Sequence, residues 1–286
     1  MELRRTRAAD LPALFDIFNA AIGDLYRPHG FDPPAPPFEV FASQQRHLLA
    51  HDEERCVVAD RGDGAGPVAF AAAWVRGDAW FLASLFVRPD AQAAGVGRAL
   101  LDAVWVDGLA RRLTITDAIQ PVSNALYARR GLIPVTPVLS FGGAPRVEQP
   151  QDLEPLGGDV DPAVVSRIDV AGYGFDRGID HAYWQEIARR TVWARDGEAV
   201  AWSYVFPGGA VGPIAGVDGI AVAAALEAEL ARARGDVRVR MPGSSRGAVA
   251  VALAAGLRLG ATPGLLLLAH EVPAPTALVI GSYTLL

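Results

Sequence analysis

An apolar run, Trp80-Phe81-Leu82-Ala83-Ser84-Leu85-Phe86-Val87, stops at Arg88-Pro89. Two residues later the chain resumes as Gln92-Ala93-Ala94-Gly95-Val96-Gly97-Arg98-Ala99-Leu100-Leu101. The first segment is strand-like and the second opens a helix, so a strand here passes into a helix through a glycine-rich first turn. Gly95 and Gly97 carry no Cβ to hold a ligand off, which lets main-chain N–H groups point at an anion. The helix terminus contributes about 0.3–1 kcal/mol toward a negative group, and ~2 in a dry setting. Several N–H bonds to phosphate, at ~1.5–3 kcal/mol each, outweigh that term. The junction reads as a pyrophosphate cradle.

Three kinds of phosphate loop compete for this reading. A P-loop needs Gly-Lys-Ser/Thr, and the chain has no lysine; its 26 basic residues are all arginine. The dinucleotide fingerprint needs a third glycine where Leu100 stands, and it belongs in a parallel βαβ unit, whereas hairpin-like strands precede this turn. Gln-x-x-Gly-x-Gly after an apolar strand and before a Leu-Leu helix resembles motif A of the GNAT acetyltransferases. The order of elements over residues 1–142 resembles theirs as well. Ser123-Asn124-Ala125-Leu126-Tyr127-Ala128-Arg129-Arg130-Gly131-Leu132 is similar to motif B of that family, with Leu132 where the family has phenylalanine.

The resemblance implies an acyl-CoA site made of Gln92, Ala93, Gly95, Val96, Gly97, Arg98 and Ala99 at the pyrophosphate. It implies that the backbone of Leu85, Phe86 and Val87 bonds the pantetheine arm as an added strand does. It places Asn124 on the pantetheine or phosphate region and the Tyr127 hydroxyl beside the thioester sulfur; the two are three residues apart, hence on one helix face. The implied chemistry is direct transfer of acetyl from acetyl-CoA, the co-substrate, to an amine on a small molecule or a peptide. An alkyl ammonium of pKa ~10.4 is neutral only about once in 2,500 molecules at pH 7, so its proton must be removed. Tyr127, with an ordinary pKa of ~10, is protonated and able to donate to the departing thiolate. Glu39, Asp78 and Asp117 are candidate bases, none singled out, and a water chain would serve in their place.

At 286 residues the chain is long enough for two domains. Strands are predicted over Arg55–Asp60, Pro67–Arg76 and Ala79–Val87, then a helix over Gly97–Leu109, a strand over Leu113–Asp117, a helix over Pro121–Arg130 and a strand over Leu132–Phe141. Before these, Asp10 is expected to cap a helix carrying Leu11, Leu14, Phe15, Ile17 and Phe18, and a second helix to start at Phe38. After a proline-containing linker at 144–156 the pattern recurs. Strands are predicted over Val192–Arg195, Glu198–Phe206 and Ala210–Val217, with a helix over Ile220–Arg234, a strand over Val237–Met241, a helix over Ser245–Ala255 and a strand over Arg258–His270. The expected fold is α/β (α+β): two tandem GNAT-like domains, 1–143 and 157–286, each a mixed, mostly antiparallel sheet flanked by helices.

The second copy lacks the chemistry. Val217-Asp218-Gly219 stands where the first copy has its glycine cradle, and Ala252, four residues before Gly256, stands where Tyr127 precedes Gly131. It is expected to bind no acyl-CoA. In Gly172–Trp184, Asp180 is read as a helix cap, with Tyr183, Trp184 and Ile187 in the core; the other reading is an acceptor loop using Asp176, Asp180 or His181. Ala277–Leu286 is expected to form an edge strand.

Cys56 is the sole cysteine, which rules out an intramolecular disulfide, and no metal site is expected; His47 and His51 read as a surface helix pair. A net charge of −6 gives no general attraction for nucleic acid or an acidic membrane surface. The first residues show no apolar signal core, and the longest apolar runs are too short to span a bilayer. A cytoplasmic monomer or homodimer is the expectation, and an acyl-CoA-binding sensor or scaffold for a protein partner is the alternative function.

Overall fold

The expected order of strands and helices occurs in both halves of the chain, which the computed structural model describes for residues 1–286 apart from 33–35, 63, 65, 93, 94, 148–151, 158, 261–263 and 271. The chain divides into two compact units: Met1–Ile133 with Leu268–Glu271, and Pro134–Leu267 with Val272–Leu286.

The first unit contains β1 (Glu2–Arg5), α1 (Leu11–Tyr26), α2 (Phe38–His51), β2 (Cys56–Asp60), β3 (Pro67–Arg76), β4 (Ala79–Val87), α3 (Val96–Val104), β5 (Arg111–Asp117) and α4 (Pro121–Ala128). Its strands lie in the order β1-β2-β3-β4-β5; all neighbours are antiparallel except β4 and β5, which are parallel. Leu11, Leu14 and Ile17 of α1 and Phe41 and Ala42 of α2 bury their apolar faces with Val58 and Phe70 of the sheet. Helix α3 stops at Val104, five residues short of the expected end. Trp105 turns extended there, and the indole of Trp80 donates to the Val104 carbonyl at 2.8 Å, satisfying one terminal acceptor. The strand at Glu2–Arg5 was not anticipated. Asp10 makes no side-chain cap of α1; its carboxylate accepts from Arg4 at 2.8 Å and from the Arg7 N–H at 2.7 Å.

The second unit contains β6 (Ile133–Gly143), β7 (Glu154–Pro155), α5 (Pro162–Gly172), α6 (Gly178–Ile187), β8 (Arg189–Arg195), β9 (Glu198–Val205), β10 (Ala210–Gly216), α7 (Gly219–Arg232), β11 (Val237–Pro242), α8 (Arg246–Ala254), β12 (Arg258–Leu259), β13 (Leu265–His270) and β14 (Leu278–Val279). Here the order is β6-β11-β10-β9-β8-β7, with β12 on β6 and β14 on β10. The alanine-rich helix α7 lies almost wholly inside, packing Val222, Leu226 and Leu230 with Val211, Ile214 and Val239.

Two strands fall outside the expected boundaries. Residues 134–143 group with the second unit because β6 pairs antiparallel with β11, from Val237↔Gly143 to Pro242↔Val138. The end of β13, from Leu268, groups with the first unit, beside β5. The expected strand Arg258–His270 is two strands, and its middle lies outside the described residues.

Three local readings of the second half are corrected. Helix α6 starts at Gly178 with no side-chain cap, and Asp180 is buried one turn in, accepting from Arg177 Nε at 2.8 Å. Ile187 is exposed rather than core. His181 is buried between Asp169, 3.1 Å from its Nε2, and the Tyr204 hydroxyl, 2.9 Å from Nδ1. The indole of Trp202 donates to the same Asp169 at 2.9 Å. A satisfied buried network of this kind fixes a core; neither Asp180 nor His181 is open to an acceptor.

Candidate active site

The site grows out of the end of β4. A bulge at Ala83 shifts the register with β3 from Ala73↔Leu82 to Ala72↔Ser84, and the parallel pairing with β5 ends at Leu82↔Thr114. The Thr114 hydroxyl donates to the Leu82 carbonyl at 2.9 Å and marks the point where β5 parts from β4. Beyond it Leu85, Phe86 and Val87 stay paired with β3 alone, opposite Ala71, Phe70 and Ala69. Their edge toward β5 is the splayed edge on which an extended ligand arm can lie. Phe86 turns its ring to α1, edge-on to Phe18 at 5.1 Å.

After Val87 a tight turn over Pro89–Ala91 brings the chain to Gln92, whose side-chain amide donates back to the Val87 carbonyl at 3.3 Å. Ala93 lies outside the described residues. Gly95 is the N-cap of α3 with φ of 76°, a left-handed conformation that explains glycine there. No side chain caps this helix, so the N–H groups of Val96, Gly97 and Arg98 in its first turn are the ones a ligand can take. Arg98 and Ala99 are exposed, whereas Val96 is buried as the helix's first anchor. A Cβ built on Gly97 would sit 3.7 Å from Leu85 Cδ2, 3.8 Å from Leu126 Cδ2 and 3.9 Å from Val87 Cγ2. These are ordinary contacts, so packing within the protein does not demand glycine at 97.

Helix α4 supplies the other wall. Asn124 Nδ2 donates to the Asp117 carbonyl at 3.1 Å, and Asn124 Oδ1 is buried with no partner among the described residues. An N–H from a bound ligand would satisfy it. Tyr127 is buried; burial pushes its phenol up, against a hydrogen bond with Ser123 that pulls down, and Asp117 adds a further upward push. The chain then turns through Gly131, φ 78°, where a Cβ would meet the His270 ring at 2.8 Å.

Of the three carboxylates weighed as bases, the structure brings one to this wall. Asp117, at the end of β5, accepts a 2.6 Å hydrogen bond from the hydroxyl of Tyr26, the last residue of α1. Burial raises its pKa, and the Tyr26 bond opposes that rise. Glu39 is exposed and ion-paired with Arg46 at 3.2 Å, and Asp78 is engaged with Arg111 at 2.5 Å. Tyr26 and Ser123 escaped the sequence reading: Tyr26 lies 91 residues from its partner and carries no local signal. Burial pushes the Cys56 thiol up to about 12, which leaves it inert as a nucleophile.

The second unit repeats the scaffold with the groove closed. Gly256 turns with φ of 75°, and Leu257 N–H donates to the Ala252 carbonyl at 3.1 Å, as Leu132 N–H does to Tyr127 at 3.1 Å. Ala252 therefore occupies the place of Tyr127. At the start of α7 the Asp218 carboxylate accepts from the Ala221 N–H at 2.7 Å, so a built-in anion holds the helix end that α3 leaves open. Strands β10 and β11 pair only at Ala210↔Arg238 and Val211↔Val239 before parting. Into that gap goes β14: Leu278 and Val279 pair with Ala215 and Ile214, and Ile280 N–H donates to the Arg240 carbonyl at 2.7 Å. The C-terminal stretch expected as an edge strand is thus inserted between two strands.

Among the described residues no group of three or more His, Cys, Asp or Glu side chains could hold a metal, and no helix is long and apolar enough to cross a membrane. Residues 52–131, under a third of the chain, match the model of the acetyltransferase (GNAT) domain. No curated protein matches in sequence. Solved structures resemble the whole chain. A proposed acetyltransferase of Pyrococcus horikoshii has 14% identity and a TM-score of 0.74 over 99% of this chain and 95% of its own. A GCN5-related N-acetyltransferase of Sphaerobacter thermophilus has 18% identity and a TM-score of 0.65 over 99% and 98%. At these identities the likeness is one of fold.

Proposed function

We propose that this chain, a member of the GNAT acyltransferase superfamily, transfers an acetyl group directly from acetyl-CoA to an amine on a small molecule or a peptide. The observation that carries the proposal is the uncapped start of α3 at the end of a strand that has lost its β5 partner, with Tyr127 and Asn124 on the facing wall. The diphosphate takes the N–H groups of Val96, Gly97 and Arg98, with Gln92 and Ala99 beside them. The pantetheine arm runs along Leu85, Phe86 and Val87, and its amide satisfies Asn124 Oδ1.

In the reaction the amine nitrogen bonds to the thioester carbonyl carbon and the C–S bond breaks, leaving the electron pair on sulfur. The Tyr127 hydroxyl donates a hydrogen bond to that thiolate. Asp117, held by Tyr26, takes one proton from the ammonium before attack, directly or through a water, and the second nitrogen proton passes to the departing sulfur, leaving the neutral amide and the free thiol of coenzyme A. The acyl-CoA site belongs to the first unit; in the second, Asp218 and β14 already hold the equivalent positions.

The test is thiol release on mixing the protein with acetyl-CoA and a panel of primary amines. Turnover with at least one amine supports the reading. Tight coenzyme A binding with no turnover on any acceptor would instead support an acyl-CoA sensor.

A further inference from the structure

In the acyl-transfer reading the diphosphate sits at the first turn of α3 and the arm runs back along Val87, Phe86 and Leu85. The reacting end of the cofactor then falls at Ala83 and Ser84. Ala83 is the bulged residue of β4: β3 pairs Ala73 with Leu82 and Ala72 with Ser84, and Ala83 stands between them. On the other edge Leu82↔Thr114 is the last pair with β5.

Two buried side chains bracket this bulge. Ahead of it, the Thr114 hydroxyl donates to the Leu82 carbonyl at 2.9 Å. Behind it, the Ser84 hydroxyl accepts from the Gln45 side-chain amide at 3.4 Å. Gln45 follows Phe41 by four residues and precedes Leu48 by three, so it lies on the buried face of α2. Ser84 and Phe86 are two apart on β4 and share the face that meets α1 and α2, where Phe86 touches Phe18. Leu85 and Val87 point the other way, toward Gly97. The residues on either side of Ala83 are thus tied to two different elements, β5 and α2.

The bland account is that these are ordinary core hydrogen bonds. It explains why the groups are paired but not why they are polar. The packing beside Gln45 and Ser84 is aromatic, with Phe41, Phe70 and Phe86 in mutual ring contact. An apolar pair would fill such a place without burying an amide, and a bond of 3.4 Å recovers little of that cost. Thr114 is no more demanded by the fold. The Arg111 N–H donates to the Asp78 carbonyl, so by strand alternation the Leu82 carbonyl also faces β5, within the ladder. The hydroxyl is a second donor there, and valine has the same branched shape.

We infer that Thr114 and Gln45 are positioning residues for the proposed acyl transfer. By fixing Leu82 and Ser84 they hold the bulge, and with it the thioester, in one reacting geometry. A reacting carbon misplaced by about 1 Å costs about 100-fold in rate, whereas the diphosphate and arm are gripped farther along the chain. The inference rests on the acyl-transfer reading and adds to it two residues that act through β4.

The experiment measures thiol release and calorimetric coenzyme A binding in the natural chain, Thr114→Val, Thr114→Ser and Gln45→Met, with an amine that the natural chain acetylates. In Thr114→Val and Gln45→Met, kcat is expected to fall about tenfold or more, with coenzyme A affinity within about twofold of the natural value. Thr114→Ser, which keeps the hydroxyl, is expected to recover most of the rate. A merely structural pair would lower the thermal midpoint and leave kcat per folded molecule unchanged, and that result overturns the inference. Equal losses of kcat and affinity, or Thr114→Ser as slow as Thr114→Val, overturn it too. Should one of the two apolar variants fail to fold, the other carries the comparison. Absence of turnover in the natural chain with every amine removes the acyl-transfer reading itself; turnover insensitive to the variants removes this inference alone.

Discussion

A phenol of ordinary pKa about 10 lies above a thiol at about 8.5, so full proton transfer from Tyr127 to a departing thiolate is uphill by about 2 kcal/mol. Burial of Tyr127 widens that gap, so its part in the proposed reaction is hydrogen-bond donation rather than acid catalysis. One donor aimed at developing charge is worth about 100–1,000-fold in rate, or ~2.7–4 kcal/mol. Tyr127→Phe is therefore expected to lower kcat by that factor while coenzyme A affinity stays within about twofold; equal losses in both would remove the role. As the proposed base, Asp117 would act only when ionised, so activity is expected to fall as pH drops through its raised pKa. The Tyr26 hydrogen bond favours the carboxylate form, so removing it raises that pKa further. Tyr26→Phe should shift the acidic limb of the kcat/KM profile to higher pH, and Asp117→Asn should abolish that limb along with most of the activity. The sequence named Tyr127 and Asn124 because their helical spacing is local. It could not choose Asp117 over Glu39 and Asp78, since the choice rests on a hydroxyl from a distant helix.

At the scale of elements, the two glycines of the cradle separate by physical cause. Gly95 needs its left-handed backbone, so Gly95→Ala costs about 1–2 kcal/mol of stability. Gly97 is helical with room for a methyl group at 3.7–3.9 Å, and alanine is a better helix former by about 0.8–1.0 kcal/mol. Gly97→Ala should leave the thermal midpoint unchanged or raised while weakening coenzyme A binding; unchanged binding would mean that no ligand approaches the backbone there. This β4–α3 junction was legible because its signals, an apolar run, a turn and paired glycines, are contiguous. Strand β1 was not. Glu2, Arg4 and Arg5 hide any apolar alternation, and the strand exists because β2 offers an edge from Glu2↔Asp60 to Arg5↔Val57. Asp10 and Asp180 were read as helix caps from position alone, and in each case an arginine competes for the carboxylate and wins.

Across the whole chain, the same order of elements yields one open groove and one filled by the chain itself. The omissions were visible in the sequence as Asp218 and Ala252, but the filling was not. Leu278 and Val279 form a two-residue strand whose partners in β10 lie more than sixty residues away, and periodicity carries no information about pairing partners. The strand boundaries at 134–143 and 268–271 escaped for the same reason. Asp218→Ala is expected to cost about 0.5–2 kcal/mol of stability as a lost cap, and to open no second cofactor site, because β14 still lies between β10 and β11. The decisive quantity is the number of coenzyme A molecules bound per chain and its dependence on the α3 terminus. Calorimetric titration should give one site in the natural protein and in Asp218→Ala, and none in Gly97→Glu. Two sites, or undiminished binding once Gly97 carries a carboxylate, would contradict the claim that the first turn of α3 holds the diphosphate.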